Sequence, residues 1–558
     1  MARKSASSIA SPPPAARRLW PPRRVLVTVA SLGAAIALVR GGLLESVVGS
    51  IVDGAVQNII TLILAFSAIV ALVLWFVRES GHSGPLKQML LGGLLGAVVV
   101  AAGTLRIERV SGDLIPEFNW RWAPPRDRLL PKAEQAQGAE VAAGEPWGMS
   151  REDFSRFLGP SGDASLPGPA LATDWVATPP RELWRRPIGA GWSGFATCAG
   201  HAVTLEQRGD EEIVSCLTIV DGVQKWAVPI RGRHETVLGG VGPRSTPTIR
   251  DGVVYAAGAT GWLHAIDGPT GRVVWRKNVL DDLGIDADKH AAAVAWGRSA
   301  SPLVTDTLVI VPGGGPLESG GGAVSLVAYD RATGDRRWTG GNEQISYASP
   351  DLVTLGGREV VLTVNEASVA AHDPATGSLF FSFPWPGHSN SDASCSQPRV
   401  LADDRIFISK GYGIGAAVFG AEPGATVKPG AWPALRPLWT QPGLLKTKFT
   451  NVSVHDGHAY GLSDGILECV RLADGKRMWK GGRYNQGQVL RVGDQLLVQA
   501  ESGEVVLVDC APAGHVVRAR LAALDGQTWN NPTLVGDRLL VRNATEAACY
   551  ALPVRAQP

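Results

Sequence analysis

Seven polar residues recur at one kind of position in this 558-residue chain. Arg244 (GPRSTP), Arg298 (WGRSASP), Tyr347 (SYASP), Gln397 (SCSQP), Asn451 (FTNVS) and the pair Asn530 and Asn531 (TWNNP) each precede a short apolar, strand-like run. Two guanidinium groups among amides and a phenol would suit a small anionic or carboxylate ligand, because guanidinium offers a bidentate fork. The competing reading is that these side chains satisfy backbone carbonyls of neighbouring loops, the common fate of buried polar groups.

Other clusters carry less. Asp281, Asp282, Asp286 and Asp288 crowd one stretch, but the ligand order and central Gly of an EF-hand are missing, so a solvated loop is expected. His455 and His458 flank a turn without further ligands at zinc spacing. PGGGPLESGGG at 312–322 lacks the Gly-Lys-Ser/Thr of a phosphate cradle, and GWSGF at 191–195 does not match the GxSxG elbow. The six cysteines (Cys198, Cys216, Cys395, Cys469, Cys510 and Cys549) include no CxxC and no adjacent pair. That excludes haem attachment and a zinc ribbon, and Cys216 and Cys469 read as thiols buried in apolar runs. An oxidising compartment would still permit a disulfide. No catalytic set and no metal site is expected.

The elements that would position the seven residues form a repeat. Its clearest copy, STPTIRDGVVYAAGATGWLHAIDGPTGRVVW at 245–275, reads as two alternating strands, a third strand ending in Asp, a Thr-Gly turn and a Trp strand. Further copies end at Trp338, Phe381 and Trp479, and degraded copies at Trp226, Trp439 and near Val517. This spacing fits propeller blades of ~40–50 residues with insertions. A four-stranded unit cannot bury both faces alone, so neighbours stack around an axis. The Trp is an apolar slab for the seam between blades. Seven full units are followed by a remnant at 531–553 without its Trp strand, and ELWRRPI at 182–188 offers that strand from the other end. Pairing the two closes the ring and leaves no edge. The fold expected is all-β: an eight-bladed propeller over 151–558, with seven blades as the alternative.

The tract Asp-x-x-Thr-Gly-x-x-x-Trp, as in Asp267, Thr270, Gly271 and Trp275 or Asp330, Thr333, Gly334 and Trp338, resembles the pyrroloquinoline-quinone (PQQ) repeat. The lead-in DFSRFLGPSGDASLPG at 153–168 is similar to that of bacterial PQQ-like propellers. The repeat occurs in quinoprotein alcohol dehydrogenases and in the lipoprotein of the outer-membrane barrel assembly machinery. The resemblance therefore implies a propeller, and implies PQQ with calcium as a cofactor only if the dehydrogenase chemistry is kept. Those enzymes carry an adjacent Cys-Cys disulfide, a Glu/Asn/Asp calcium site and a catalytic Asp, none of which has a matching tract here. Function resides in the site rather than the fold.

Strand order puts the loops entering each unit and those joining its second and third strands on one face. The insertions at 231–245, 280–299, 312–322, 384–396 and 441–451 all fall there, and long loops on one end of a rigid scaffold are where binding usually resides.

Ahead of the repeat lie three apolar runs at 25–39, 59–77 and 89–105, expected as transmembrane helices within an anchor at 25–106. The first is short enough to be a signal-peptide core instead. The third carries Gly92, Gly93, Gly96 and Gly103, as helices packing closely in lipid often do. Residues 1–24 hold six basic side chains and no acid, and Arg78 and Lys87 bracket the loop after the second run. Basic loops stay cytoplasmic, which places the propeller on the periplasmic side of the cytoplasmic membrane. Residues 107–150 read as a linker with little packed core. A formal charge of +2 gives no nucleic-acid surface. The function expected is a non-catalytic scaffold for a periplasmic or membrane protein, or for a small anion. The alternative is a membrane-bound PQQ-dependent alcohol or sugar dehydrogenase.

Overall fold

A computed structural model of the protein describes residues 19–41, 54–131, 146–237, 239–421 and 432–555. The basic segment at 1–18 and the Ala/Gly/Glu-rich stretch at 132–145 lie outside them. The chain divides into two compact units, one of residues up to Ile107 with Phe118–Ala123, the other of Glu108–Glu117 with the chain from Pro124 onward.

The first unit is helical. Helices run over Arg23–Arg40, Gly54–Arg78 and Gly84–Thr104, slightly longer than the apolar runs because flanking polar residues extend them. Gly54–Arg78 and Gly84–Thr104 are long and apolar enough to cross a membrane. Arg24 at one end of the first helix pairs with Glu79 just past the second at 2.5 Å, so these two helices run antiparallel.

The second unit is an eight-bladed β-propeller. Its four-stranded antiparallel sheets occupy 196–231, 248–278, 303–340, 351–384, 399–441, 453–483, 488–522 and 533–551, numbered here as blades 1 to 8. The last takes its outer strand from Arg181–Pro187, with Cys549 opposite Trp184 and Glu546 opposite Pro187. The expected closure is therefore present, and eight is the blade number. First strands such as Thr248–Arg250 and Leu303–Val304 are short and largely buried, while fourth strands such as Val273–Asn278 and Arg336–Gly340 are mostly exposed around a buried Trp. That gradient runs from axis to rim. Arg542, 1% exposed in blade 8, locks the seam by donating to Thr204 Oγ1 (2.7 Å), Leu205 O (2.8 Å) and Gly189 O (2.9 Å) of the first-blade side.

The repeat motif has a mechanical reason. The Trp of one blade lies on the Gly of the next blade's Thr-Gly turn or its equivalent. A β-carbon at Gly222, Gly271 or Gly334 would lie 2.6, 2.6 or 2.7 Å from Trp184, Trp226 or Trp275, too close for any real contact. The indole N–H then reaches a carbonyl of that neighbour: Trp184 to Ile219 O (2.8 Å), Trp226 to Gly268 O (2.7 Å) and Trp439 to Leu472 O (2.9 Å). The motif Asp shapes the turn, as Asp330 does by accepting from the amides of Ala332 and Thr333 at 2.9 Å.

Two segments before the first blade are tied to the ring. The lead-in 153–168 touches inner strands of several blades: Ile249 N donates to Ser155 O (2.7 Å), Arg399 Nη1 to Gly162 O (2.5 Å) and Ser453 Oγ to Ala164 O (2.6 Å), and Ser165–Leu166 pairs with blade 7. It crosses the axis and stoppers it. The expected linker 107–150 also carries docked pieces. Asp127 accepts from Arg233 Nη1 (2.7 Å) and Gly209 N (3.2 Å), and Trp147 stacks on His201 with ring centres 4.9 Å apart. A composition rich in Pro and Ala conceals such single anchoring side chains.

Candidate binding face

The seven residues singled out by the sequence lie where expected, at the approach to inner strands. Three of them join a belt of hydrogen bonds that visits every blade. Gly194 N donates to Thr246 Oγ1 (3.0 Å), Thr246 N to Ser301 Oγ (2.9 Å) and Ser301 N to Ser349 Oγ (2.9 Å). Gln397 spans blades 4 to 6, its Nε2 donating to Ser349 O (3.2 Å) and its N–H to Asn451 Oδ1 (2.8 Å). Gln488 Nε2 joins Phe449 O (3.3 Å) and Trp529 O (3.0 Å), and Asn530 Nδ2 returns to Ser193 O (2.7 Å). Gln397, Asn451 and Asn530 are thus buried ties between blades, while Asn531 is half-buried beside them. Thr246, Ser301, Ser349 and Gln488 complete the circuit, and sequence reasoning missed them. A polar residue just ahead of each inner strand was the available signal.

Arg244, Arg298 and Tyr347 hold the long loops themselves. Arg244 donates to Gly239 O (2.7 Å) and Gly242 O (3.0 Å) of its own insertion. Arg298 donates to Gly313 O (2.6 Å) and to Pro312 O, pinning the next insertion. Tyr347 accepts from Trp296 N (3.1 Å) and donates to Ser389 O (2.5 Å), which ties the loop before blade 3 to the loop before blade 5. Burial lowers both guanidinium groups to about 10. Burial, with Arg298 alongside, lowers His290 to about 4, so this imidazole is neutral and bonds Gly315 O at 3.0 Å. Glu212, buried and accepting from Ala259 N at 3.0 and 3.1 Å, is raised to about 7 by desolvation. In the acidic stretch Asp281 and Asp288 are exposed, as a solvated loop would have them, while the other two carboxylates are structural. Asp286 caps the helix Ala287–Ala293 at Lys289 N (3.0 Å), and Asp282 accepts from Tyr329 Oη (3.1 Å).

A family model described as outer membrane protein assembly factor BamB matches residues 180–481. That is more than half of the chain. The protein belongs to this family. BamB of Burkholderia pseudomallei (strain K96243) is 24% identical over 278 residues, covering 44% of this chain and 67% of the relative. Among solved structures, the quinohemoprotein alcohol dehydrogenase of Comamonas testosteroni superposes with a TM-score of 0.51 at 13% identity, over 73% of this chain and 82% of that one. The quinohemoprotein alcohol dehydrogenase ADHIIG of Pseudomonas putida HK5 gives 0.50 at 12%, over 77% and 84%. Those two likenesses are of fold.

A PQQ-type repeat is a matter of fold, and a cofactor site has to be found in the residues themselves. Among the described residues no three His, Cys, Asp or Glu side chains are placed to hold a metal ion, and all six cysteines are free. At the mouth of the long-loop face Arg244, Arg298 and Tyr347 bond backbone carbonyls, while Gln397 Oε1, Asn530 Oδ1 and Gln488 Oε1 are buried without a hydrogen-bond partner. What the face does hold is a piece of its own chain. The turn Ser111–Leu114 sits against blades 6 to 8: Gly112 N donates to Glu501 Oε1 (2.9 Å) and Gln527 Nε2 to Val110 O (3.1 Å). A β-carbon on Gly112 would overlap Gln486. Beside it Trp529 packs between Trp192 and Phe449 at ring-centre distances of 4.6 and 4.9 Å, with its N–H on Glu501 (3.0 Å).

Proposed function

We propose that this chain is a non-catalytic binding scaffold, held in the cytoplasmic membrane by its apolar helices and presenting the long-loop face of its propeller to a periplasmic or membrane protein. The observation that carries the reading is the fixing of that face. Its insertions are clamped by buried Arg, Tyr and amide groups whose hydrogen bonds go to backbone, which builds a shaped surface rather than a set of reactive groups. The opposite mouth is covered by the lead-in, and the long-loop end offers its exposed insertions beside the docked turn Ser111–Leu114 as the place for a partner. The curated relative's description as an assembly factor supports a protein partner. A small anion is the narrower alternative at Arg244 and Arg298, since each donates to carbonyls and to no carboxylate.

The turn between the two membrane-length helices supports display on the periplasmic side. Arg78 and Lys87 bracket it, and Lys87 Nζ donates to Val77 O (3.0 Å) and Ser80 O (2.9 Å). A short basic turn stays cytoplasmic. The helix Gly84–Thr104 then leads outward whether or not the helix Arg23–Arg40 crosses. A reporter active only in the periplasm, fused after residue 150, should be active, and activity of a cytoplasm-only reporter there would reverse the placement. Affinity capture from membranes should recover a protein with the wild-type chain and lose it with Arg244→Ala/Arg298→Ala. Substrate-dependent reduction of an artificial acceptor after loading with PQQ and calcium would overturn the non-catalytic reading.

A further inference from the structure

The sequence Phe118-Asn119-Trp120-Arg121-Trp122 places three aromatics two residues apart, so along an extended chain they share one side. Phe118 and Trp120 lie in the strand Pro116–Trp120, and Trp122 continues the period just past its end. All three are open: Phe118 is 60%, Trp120 51% and Trp122 68% exposed, with the two indoles stacked at 5.1 Å. Aromatic side chains are the largest apolar surfaces a protein owns, and three together in water carry a clear cost unless something covers them.

Their attachment says what covers them. Arg121 N donates to Thr104 O (2.8 Å) and Arg121 Nε to Ala102 O (3.1 Å), so the stripe is fastened to the last turn of the helix Gly84–Thr104. That helix has 21 residues, about 31 Å at 1.5 Å per residue, the thickness of a bilayer's hydrocarbon core. Leu95, Val98, Val99 and Val100 are each more than half exposed, so its apolar surface runs directly towards the aromatics. Arg106 also lies here, donating to Ala123 O (2.9 Å), and no acidic residue occurs between Phe118 and Arg126. Trp with Arg at the end of an apolar helix matches the boundary between acyl chains and phosphates, where an indole is half in hydrocarbon and a guanidinium meets phosphate oxygens.

We infer that Phe118, Trp120 and Trp122, with Arg106 and Arg121, form a lipid-interface anchor that seats at the headgroup–acyl boundary of a phospholipid bilayer. It rests on the membrane placement proposed above and adds a second point of attachment to the helices. The anchor fixes the depth at which the chain leaves the bilayer, and so the height at which the following residues begin.

The test uses the full chain in phospholipid nanodiscs, with Cys395→Ser to remove the half-buried thiol. Single spin labels are placed through Trp122→Cys, Val98→Cys in the helix and Val220→Cys in an exposed propeller turn. The readout is the ratio of collisions with oxygen to collisions with a water-soluble nickel chelate. The ratio at 122 should be roughly three- to tenfold above that at 220 and below that at 98, as an interfacial depth requires. Lipid-like values at 98 with water-like values at 122 would overturn the anchor while leaving the membrane placement intact. A label at 122 shielded from both reagents would show a protein surface covering it, and would overturn the lipid assignment. Water-like values at both 98 and 122 would remove the membrane placement and the anchor together.

Discussion

Removing the indole of Trp184 should open the ring at its one seam between chain ends. Trp184 is 9% exposed and fills the slot between blade 8 and Gly222 of blade 1. Burying an aromatic of this size removes on the order of 200 Å² from water, about 5 kcal/mol at 25 cal/mol per Å². Compactness of the unfolded chain trims that by roughly a third. Loss of the bond to Ile219 O restores about 1 kcal/mol. Trp184→Ala should therefore cost about 4 kcal/mol, inside the 3–5 kcal/mol range known for such truncations. The assay is urea unfolding of a fragment beginning at Pro146, followed by intrinsic fluorescence. A double-mutant cycle isolates the docking. Gly222 has φ +70° and a β-carbon there would lie 2.6 Å from Trp184. Gly222→Ala should thus cost roughly 2–4 kcal/mol in the wild type, from strain and overpacking, but only about 1 kcal/mol once Trp184 is Ala. Strictly additive costs, or a Trp184→Ala loss under about 1 kcal/mol, would refute the docking.

Three further outcomes are expected. Glu212 ionises near 4.5 when unfolded and at about 7 in the fold, so its contribution is complete below pH 4.5 and is lost as pH rises through 7. Glu212→Gln should match the wild type's melting temperature at pH 5 and exceed it at pH 8, with equal behaviour at both values counting against the shift. Arg298→Ala strands the carbonyls of Pro312 and Gly313, should cost about 2–4 kcal/mol, and should make 313–323 the first site of proteolysis. Gly112→Val cannot fit against Gln486, so amide exchange at residues 111–114 should accelerate while the ring keeps its melting temperature.

The ring was legible in the sequence because its parts repeat. Trp275 and Gly334 announce one seam and Trp226 and Gly271 another, so the unmatched ELWRRPI could be assigned to the unmatched end. The long-loop face followed from strand order alone. The roles of its polar residues did not, because a partner's identity is non-local. Asn451 could have met a ligand or Gln397 N, and only assembly of blades 5 and 6 decides for the latter. Ser301 and Ser349 escaped notice because Ser before Pro marks many turns, and nothing local says that the hydroxyl accepts from the adjacent blade. The docked turn at Gly112 was hidden for the same reason: Glu501 lies 389 residues from Gly112, and Gln527 lies 417 from Val110.

Binding through the long-loop face is tested most directly by photo-crosslinking in living cells. A photoreactive amino acid is placed at Val237, Glu318 or Tyr412 on that face, and at Val220 or Val273 elsewhere on the propeller. All five positions are exposed, so each probe can reach a partner. Such binding should give a discrete protein adduct from the first three positions and none from the last two. Adducts confined to Val220 and Val273, or distributed equally over all five, would contradict it.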